Sequence, residues 1–179
     1  MPKSNILRIG NPILRQKSDL VTDITSNETS DIVQKMFATM KAANGAGLAA
    51  PQIGILRRII VFGMDKNPRY PDAEAVPMTV LINPQYKVVN KDEEGAWEGC
   101  LSIPGMRGKV YRAKEIVYTA YTVDGEWIER TARGFHARVF LHEYDHLDGV
   151  LYPDRIKEPG DFGYIEELEQ AGFIPKIEE

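Results

Sequence analysis

The 179-residue chain has one cysteine, Cys100, so no internal disulfide can form and the fold has to rest on its core. It has only three histidines. No apolar run approaches the ~20 residues that cross a bilayer. Positive charge is in deficit, with 22 Lys and Arg against 26 Asp and Glu, a net charge of −4. That balance gives no electrostatic reason to expect nucleic acid or an anionic membrane as a partner. The N-terminal stretch MPKSNILRIGNPILRQKS alternates charged and apolar residues and lacks the apolar core and cleavage site of a signal peptide. A cytoplasmic protein is the expectation.

What is present has the balance of an ordinary globular protein, 43% hydrophobic and 27% charged. The length suits one domain, 1–179, with a short acidic tail over about 157–179. Thr25 to Glu28 has the Ser/Thr-x-x-Glu form of a capping box. Ile32, Val33, Met36, Phe37 and Met40 follow at helical spacing, and Gly45 is placed to end that helix.

RRIIVFG (57–63) and MTVLINP (78–84) read as strands, separated by a long loop over 64–77 with Pro68, Pro71 and Pro77. YKVVNK, EIVYTAYTV and EWIERTARG continue the β pattern, the last two joined by Asp124-Gly125, a two-residue hairpin signal. A second helix is expected from about Phe135 to Asp148, with Gly149 just past its end, and a short acidic helix near 161–171. Strands in a run, with a helix before and one after, predict an α+β fold: antiparallel or mixed sheets around a central helix, plus an N-terminal helix.

The central helix carries HEYDH. His142 and His146 lie one turn apart and project from one face, where a divalent ion can bridge two imidazoles at about 2.0–2.1 Å. Glu143, one step round the helix, can serve a water whose pKa the ion lowers towards ~7, taking its proton and passing it to a leaving amine. Phe135 and Val139 fall close to His142 on the helical wheel, while Phe140, Tyr144 and Leu147 fall opposite. A helix apolar on both sides is buried, and buried histidines need strong partners.

Two histidines do not complete a site, and three residues or groups could supply the third ligand. The pattern HExxHxxGxxH is matched as far as Gly149 but ends on Tyr152. Glu166 and Glu167 lie about where a thermolysin-like protease carries its distal glutamate. Cys100, in WEGCLSIPG, lies upstream between Gly99, which allows close backbone approach, and a turn at Ser102-Ile103-Pro104-Gly105. A thiolate with two imidazoles leaves an open fourth position, as catalytic sites do.

GAGLAAPQ (45–52), EGCLS (98–102) and HEYDH (142–146), in that order, together resemble the three motifs of the peptide deformylase family over residues 5 to 155. The resemblance implies Cys100, His142 and His146 as ligands of one divalent metal ion, typically Fe²⁺, with Zn²⁺, Ni²⁺ or Co²⁺ as alternatives. It implies Glu143 as general acid/base, and the Gln52 amide with the Leu101 N–H as an oxyanion hole. It further implies that Gly45, Ala46, Gly47 and Gly99 lie along an extended N-formyl-methionyl peptide of a nascent chain, with the methionine near Phe135 and Val139.

The sequence departs from that family's pattern at several points. Ala46 stands where larger aliphatic residues are frequent, which would widen the pocket entrance. Arg138 flanks the metal face at or near the pocket mouth, where it could meet an acidic substrate group or snorkel to solvent. Arg107 sits where the family often has a substrate-proximal arginine; an ordinary surface arginine is the bland alternative. The acidic tail does not suit ribosome docking through a basic C-terminal helix, so any contact with the ribosome would need another mode. A monomer is expected. The competing functions are a small metallopeptidase using Glu166 or Glu167 and a non-catalytic metal-binding module.

Overall fold

The computed structural model describes residues 4–65 and 75–176. Helix α1 spans Asn27–Ala42. Its N-cap is Ser26, whose Oγ accepts the Thr29 N–H at 3.1 Å, so the cap lies one residue beyond the start of the Thr25–Glu28 box. Glu28 instead falls in the first turn, where its charge meets the positive end of the helix. The helix also stops early. Asn44 takes the left-handed conformation (φ 51°), donating to Lys41 O at 3.2 Å while Gly45 donates to Met40 O at 3.0 Å. Asparagine tolerates that conformation best after glycine, and the paired bonds close a Schellman cap. Gly45 serves close packing instead, since a Cβ there would come within 2.6 Å of Leu101 Cδ1.

Among the described residues six strands follow: β1 (Gly47–Ala49), β2 (Ile59–Met64), β3 (Val76–Cys100), β4 (Ile103–Tyr121), β5 (Trp127–Arg133) and β6 (Phe162–Tyr164). They pair antiparallel in the order β1-β2-β3-β4-β5, with β6 added to β4. The expected segments MTVLINP and YKVVNK are one strand, β3, which continues to Cys100. Register shifts between Ile82 and Gln85, Val88 and Asn90, and Asn90 and Glu93 break the period of two that marks a strand in sequence. The loop read over 64–77 is replaced at its ends by β2 and β3; residues 66–74 lie outside the described residues.

The β4–β5 connection differs from the expected two-residue turn. Thr122 N–H bonds Glu126 O at 2.8 Å, Gly125 N–H bonds Thr122 O at 3.0 Å, and Gly125 has φ 82°. This is a three-residue loop, a turn followed by a left-handed bulge glycine. Helix α2 spans Gly134–Leu147 and ends on a second Schellman cap with Gly149 at φ 73°. Helix α3 covers only Ile165–Gln170.

Strand β2 is buried on both faces. Ile60 and Phe62 join Phe140, Leu147 and Tyr118 on the α2 side, and Ile59 and Val61 join Met36, Met40 and Leu48 on the α1 side. Each such fully buried side chain contributes about 1.5–3 kcal/mol. The α+β arrangement, with sheet packed around a central helix, is as the sequence led one to expect.

Candidate metal centre

Cys100 is the last residue of β3 and pairs with Ile103, so the chain reverses through Leu101-Ser102, earlier than the Ser102–Gly105 turn read from sequence. This hairpin end brings Cys100 under α2. The ligand atoms of Cys100, His142 and His146 lie within 4.8 Å of one another. Cys100 Sγ is 3.4 Å from His146 Nε2, and the two imidazole rings are 5.2 Å apart at 71°. The alternative third ligands are elsewhere: Glu166 and Glu167 are exposed on α3, and the Tyr152 ring stacks on His142.

The environment of the trio fits a metal. Among the described residues, buried His146 Nδ1 and Glu143 Oε2 have no hydrogen-bond partner. A buried carboxylate oxygen left bare beside one sulfur and two imidazoles is the surrounding that a divalent ion of intermediate softness satisfies. Burial pushes the Glu143 carboxyl up to about 7, with His142 opposing and Glu98 adding to the rise. Burial also drives His146 well below its usual range. For His142 burial acts downward too, but hydrogen bonds with Cys100 and Glu98 outweigh it and hold the ring well above.

Gln52 sits in the 3₁₀ turn Ala50–Ile53 and is 1% exposed. Its Oε1 accepts the Ala49 N–H at 2.8 Å, a local cap, and this fixes Nε2 towards Ser102 Oγ at 3.1 Å and Cys100 Sγ at 3.5 Å. The turn-capping amide and the site amide are therefore one side chain used at both ends. Gly47 faces Glu143 so closely that a Cβ would overlap the carboxylate.

A cavity opens on this cluster. Its wall is made of Gly45, Ala46, Gly47, Gln52, Gly99, Cys100, Leu101, Phe135, Arg138, Val139, His142 and Glu143, together with Glu98. Of the residues expected to hold the metal, to catalyse or to line the substrate, only His146 is missing from the wall; it is 1% exposed, behind it.

Glu98, Arg112 and Asp145 are the residues that sequence reasoning missed. Glu98 Oε2 accepts from His142 Nδ1 at 2.9 Å, and Arg112 spans both Glu98 oxygens at 2.9 and 3.0 Å. Arg112 Nη1 also reaches Asp145 Oδ2 at 2.6 Å, and Arg155 closes on Asp145 from the surface. The sequence does hold one clue: Glu98 lies two residues before Cys100 in a strand, hence on the same face.

Arg138 lies in the cavity wall, as expected, but its guanidinium is engaged differently from what the sequence suggested, and Arg107 lies in the interior. Arg138 neither snorkels nor meets solvent at the mouth. Its side chain is 9% exposed, and its guanidinium bonds Glu98 Oε1, Val110 O and Glu94 O. Its charge is already matched by a buried carboxylate, which removes the case for an acidic substrate group. Arg107 is 4% exposed and so is not an ordinary surface arginine, and it is not part of the cavity wall.

Comparison with known proteins gives the same frame. Residues 3–161 match the family described as Polypeptide deformylase. The chain is 49% identical over 178 residues to "Peptide deformylase 1" of Prochlorococcus marinus (strain MIT 9313), covering 99% of this chain and 93% of that one. It is 50% identical over 163 residues to "Peptide deformylase 1" of Nitrosomonas europaea, covering 91% and 93%. Among solved structures, the Met-Ala-Ser-bound class I type b peptide deformylase from Acinetobacter baumannii superposes with a TM-score of 0.83 at 37% identity, covering 87% of this chain and 99% of that one. With half its residues shared along nearly its whole length, and a cysteine and two histidines converging beside a buried glutamate, this chain belongs to the polypeptide deformylase family.

Proposed function

We propose that the cavity removes the formyl group from the N-terminal formyl-methionine of newly synthesised polypeptides, releasing formate and a free amine. The observation that carries this reading is the convergence of Cys100, His142 and His146 beside the unpartnered Glu143 Oε2. Cys100, His142 and His146 would hold one divalent ion, Fe²⁺ in the cell, with Zn²⁺, Ni²⁺ or Co²⁺ as substitutes. When bound, the ion supplies Lewis-acid activation of water and of the formyl oxygen.

The chain's own groups do the rest. Glu143 takes a proton from the attacking water and delivers it to the departing nitrogen, a task suited to a buried carboxylate whose Oε2 has no other partner. Gln52 Nε2 and the Leu101 N–H donate to the oxygen that gains charge, an interaction worth roughly 3–4 kcal/mol per donor. Among the described residues β1 ends the sheet, so its edge at Gly47, with Gly45 and Ala46 just before the strand, can pair with an extended peptide opposite Gly99. Phe135 and Val139 then form the apolar wall for methionine, and small Ala46 leaves the entrance wide.

The whole chain, 1–179, acts as one catalytic unit, working as a monomer in the cytoplasm. No helix among the described residues is long and apolar enough to cross a membrane. The six-residue α3, with Glu166, Glu167 and Glu169, is a poor match for phosphate-rich ribosomal RNA, so contact with the ribosome would use another surface.

The deciding experiment is formyl-Met-Ala-Ser hydrolysis by protein prepared without oxygen, with metal analysis of the same sample. Cys100→Ala is expected to lose both metal and activity. Glu143→Ala is expected to keep metal and lose turnover, and Glu166→Ala to match the parent. Deformylation retained by Cys100→Ala would overturn the ligand set.

A further inference from the structure

Arg138 is a buried arginine on the helix that carries His142 and His146, and its guanidinium is turned onto Glu98, the carboxylate bonded to His142. Its Nη1 donates to Glu98 Oε1 at 2.8 Å and to Val110 O at 2.9 Å, and its Nη2 donates to Glu94 O at 2.6 Å. These acceptors lie on two neighbouring strands, β3 and β4, whose pairing sets Glu94 opposite Arg112 and Ala96 opposite Val110. One guanidinium thus fastens α2 to both strands, using the planar fork that a lysine lacks.

What it fastens is the cavity itself. Phe135 and Val139, within one turn of Arg138, form the α2 wall, and Glu98 and Gly99 belong to the facing β3 wall. Glu98 is shared by Arg112, Arg138 and His142. Without Arg138, Arg112 and His142 would be left to restrain the carboxylate, and Oε1 would keep one donor instead of two.

We propose that Arg138 is a positioning residue for both halves of the site: it sets the separation of α2 from β3 across the side-chain pocket, and it holds the Glu98 carboxylate against His142. The first half rests on reading the cavity as the pocket for the substrate's N-terminal side chain. The second half needs only the metal-ligating trio.

The experiment uses the full chain with Arg138→Met, which keeps the stem and removes the fork, and Arg138→Lys, which restores the charge alone. Arg133→Ala, an exposed arginine on the residue before α2, is the control. Two quantities are read: Co²⁺ affinity, with its thiolate-to-metal absorption band, and kcat and KM on formyl-Met and formyl-Phe tripeptides. Arg138→Met is expected to weaken Co²⁺ binding at least about tenfold and to shift the band, as loss of a ligand's outer support does. It is also expected to raise KM for formyl-Met more than it lowers kcat, and to cut the Met-over-Phe preference at least about fivefold, because a looser pocket discriminates size poorly.

Arg138→Lys is expected to recover Co²⁺ affinity, through its charged bond to Glu98, without recovering the preference. Parent-like Co²⁺ affinity in Arg138→Met would overturn the hold on Glu98, and a parent-like preference would overturn the hold on the pocket. If Arg138→Met does not fold, Arg138→Lys decides, since a parent-like Met-over-Phe preference there overturns the proposal. A parent protein that binds Co²⁺ but deformylates nothing would instead overturn the functional reading, and the Co²⁺ affinities would still decide what Arg138 does to Glu98.

Discussion

Glu98 Oε2 accepts a hydrogen bond from His142 Nδ1 at 2.9 Å, and the pair is enclosed, with side chains 4% and 11% exposed. With Nδ1–H donating to the carboxylate, Nε2 would be left for an ion held by Cys100, His142 and His146. Burial would push the Glu98 carboxyl up, but the Arg112 guanidinium and the bond to His142 outweigh it and hold the group well below the usual carboxylate range. Glu98 therefore stays ionised and its acceptor is always ready. The same charge ties helix α2 to Arg112 and, through Asp145, to Arg155 at the surface.

Glu98→Gln is expected to weaken metal binding by about 10–100-fold, as loss of an outer carboxylate does. It also strands the buried charge of Arg138 and leaves Arg112 with Asp145 alone, which costs about 3–5 kcal/mol of folding stability. Chelator competition and urea unfolding check the two effects. Unchanged metal affinity would show that His142 needs no carboxylate behind it.

Gly47→Ala tests close approach. The new methyl group would meet the Glu143 carboxylate, which must turn away. A displacement of about 1 Å can cost on the order of a hundredfold in rate, so kcat is expected to fall by that order while the metal content holds. Loss of metal together with activity would place the damage in the ligands instead.

Gln52→Leu removes one donor near the reacting oxygen and should lower kcat by roughly 10²–10³. It also strips the Ala49 N–H of its acceptor, at a cost of about 1–3 kcal/mol. Steady-state kinetics beside a thermal melt distinguishes the two losses. A stability loss with kcat intact would leave Gln52 only its turn-capping role.

A pH effect is expected away from the metal. His136 Nε2 lies 3.2 Å from the Tyr118 hydroxyl, and the ring packs on Phe62. Burial lowers its pKa, and the Arg130 charge lowers it further. Because the folded value lies below the unfolded one, the unfolded chain takes the proton first as pH drops. The ring's contribution is thus present above about pH 6.5 and is lost as pH falls through the folded value. Urea midpoints of the parent and His136→Gln, measured above and below that point, should converge on acidification. Parallel curves would refute the assignment.

HEYDH was legible because its meaning is local: two imidazoles four residues apart share a helix face wherever that helix lies. The edges of α2 and its buried character were legible for the same reason, since Gly149 and the apolar pattern act within a few residues. The β3 and β4 strands were only half legible. Bulges interrupt their alternation, and Arg112, inside a strand and 7% exposed, looks in sequence like a solvent residue. The cap at Ser26 and the bulge at Gly125 were each misplaced by a residue or so, because neighbouring residues can make rival local bonds and packing chooses between them.

The sequence alone determined the donors: one sulfur, two imidazoles and a carboxylate, with the family motifs that connect Cys100 to the distant helix. It could not determine how those charges are kept in place. Arg138 read as a pocket-mouth residue and Glu98 as a motif residue without a role, because an ion pair 40 residues apart leaves no spacing to detect. Only the tertiary structure, by burying both among β3, β4 and α2, made their pairing obligatory, since a charge withdrawn from water must find its partner in the protein.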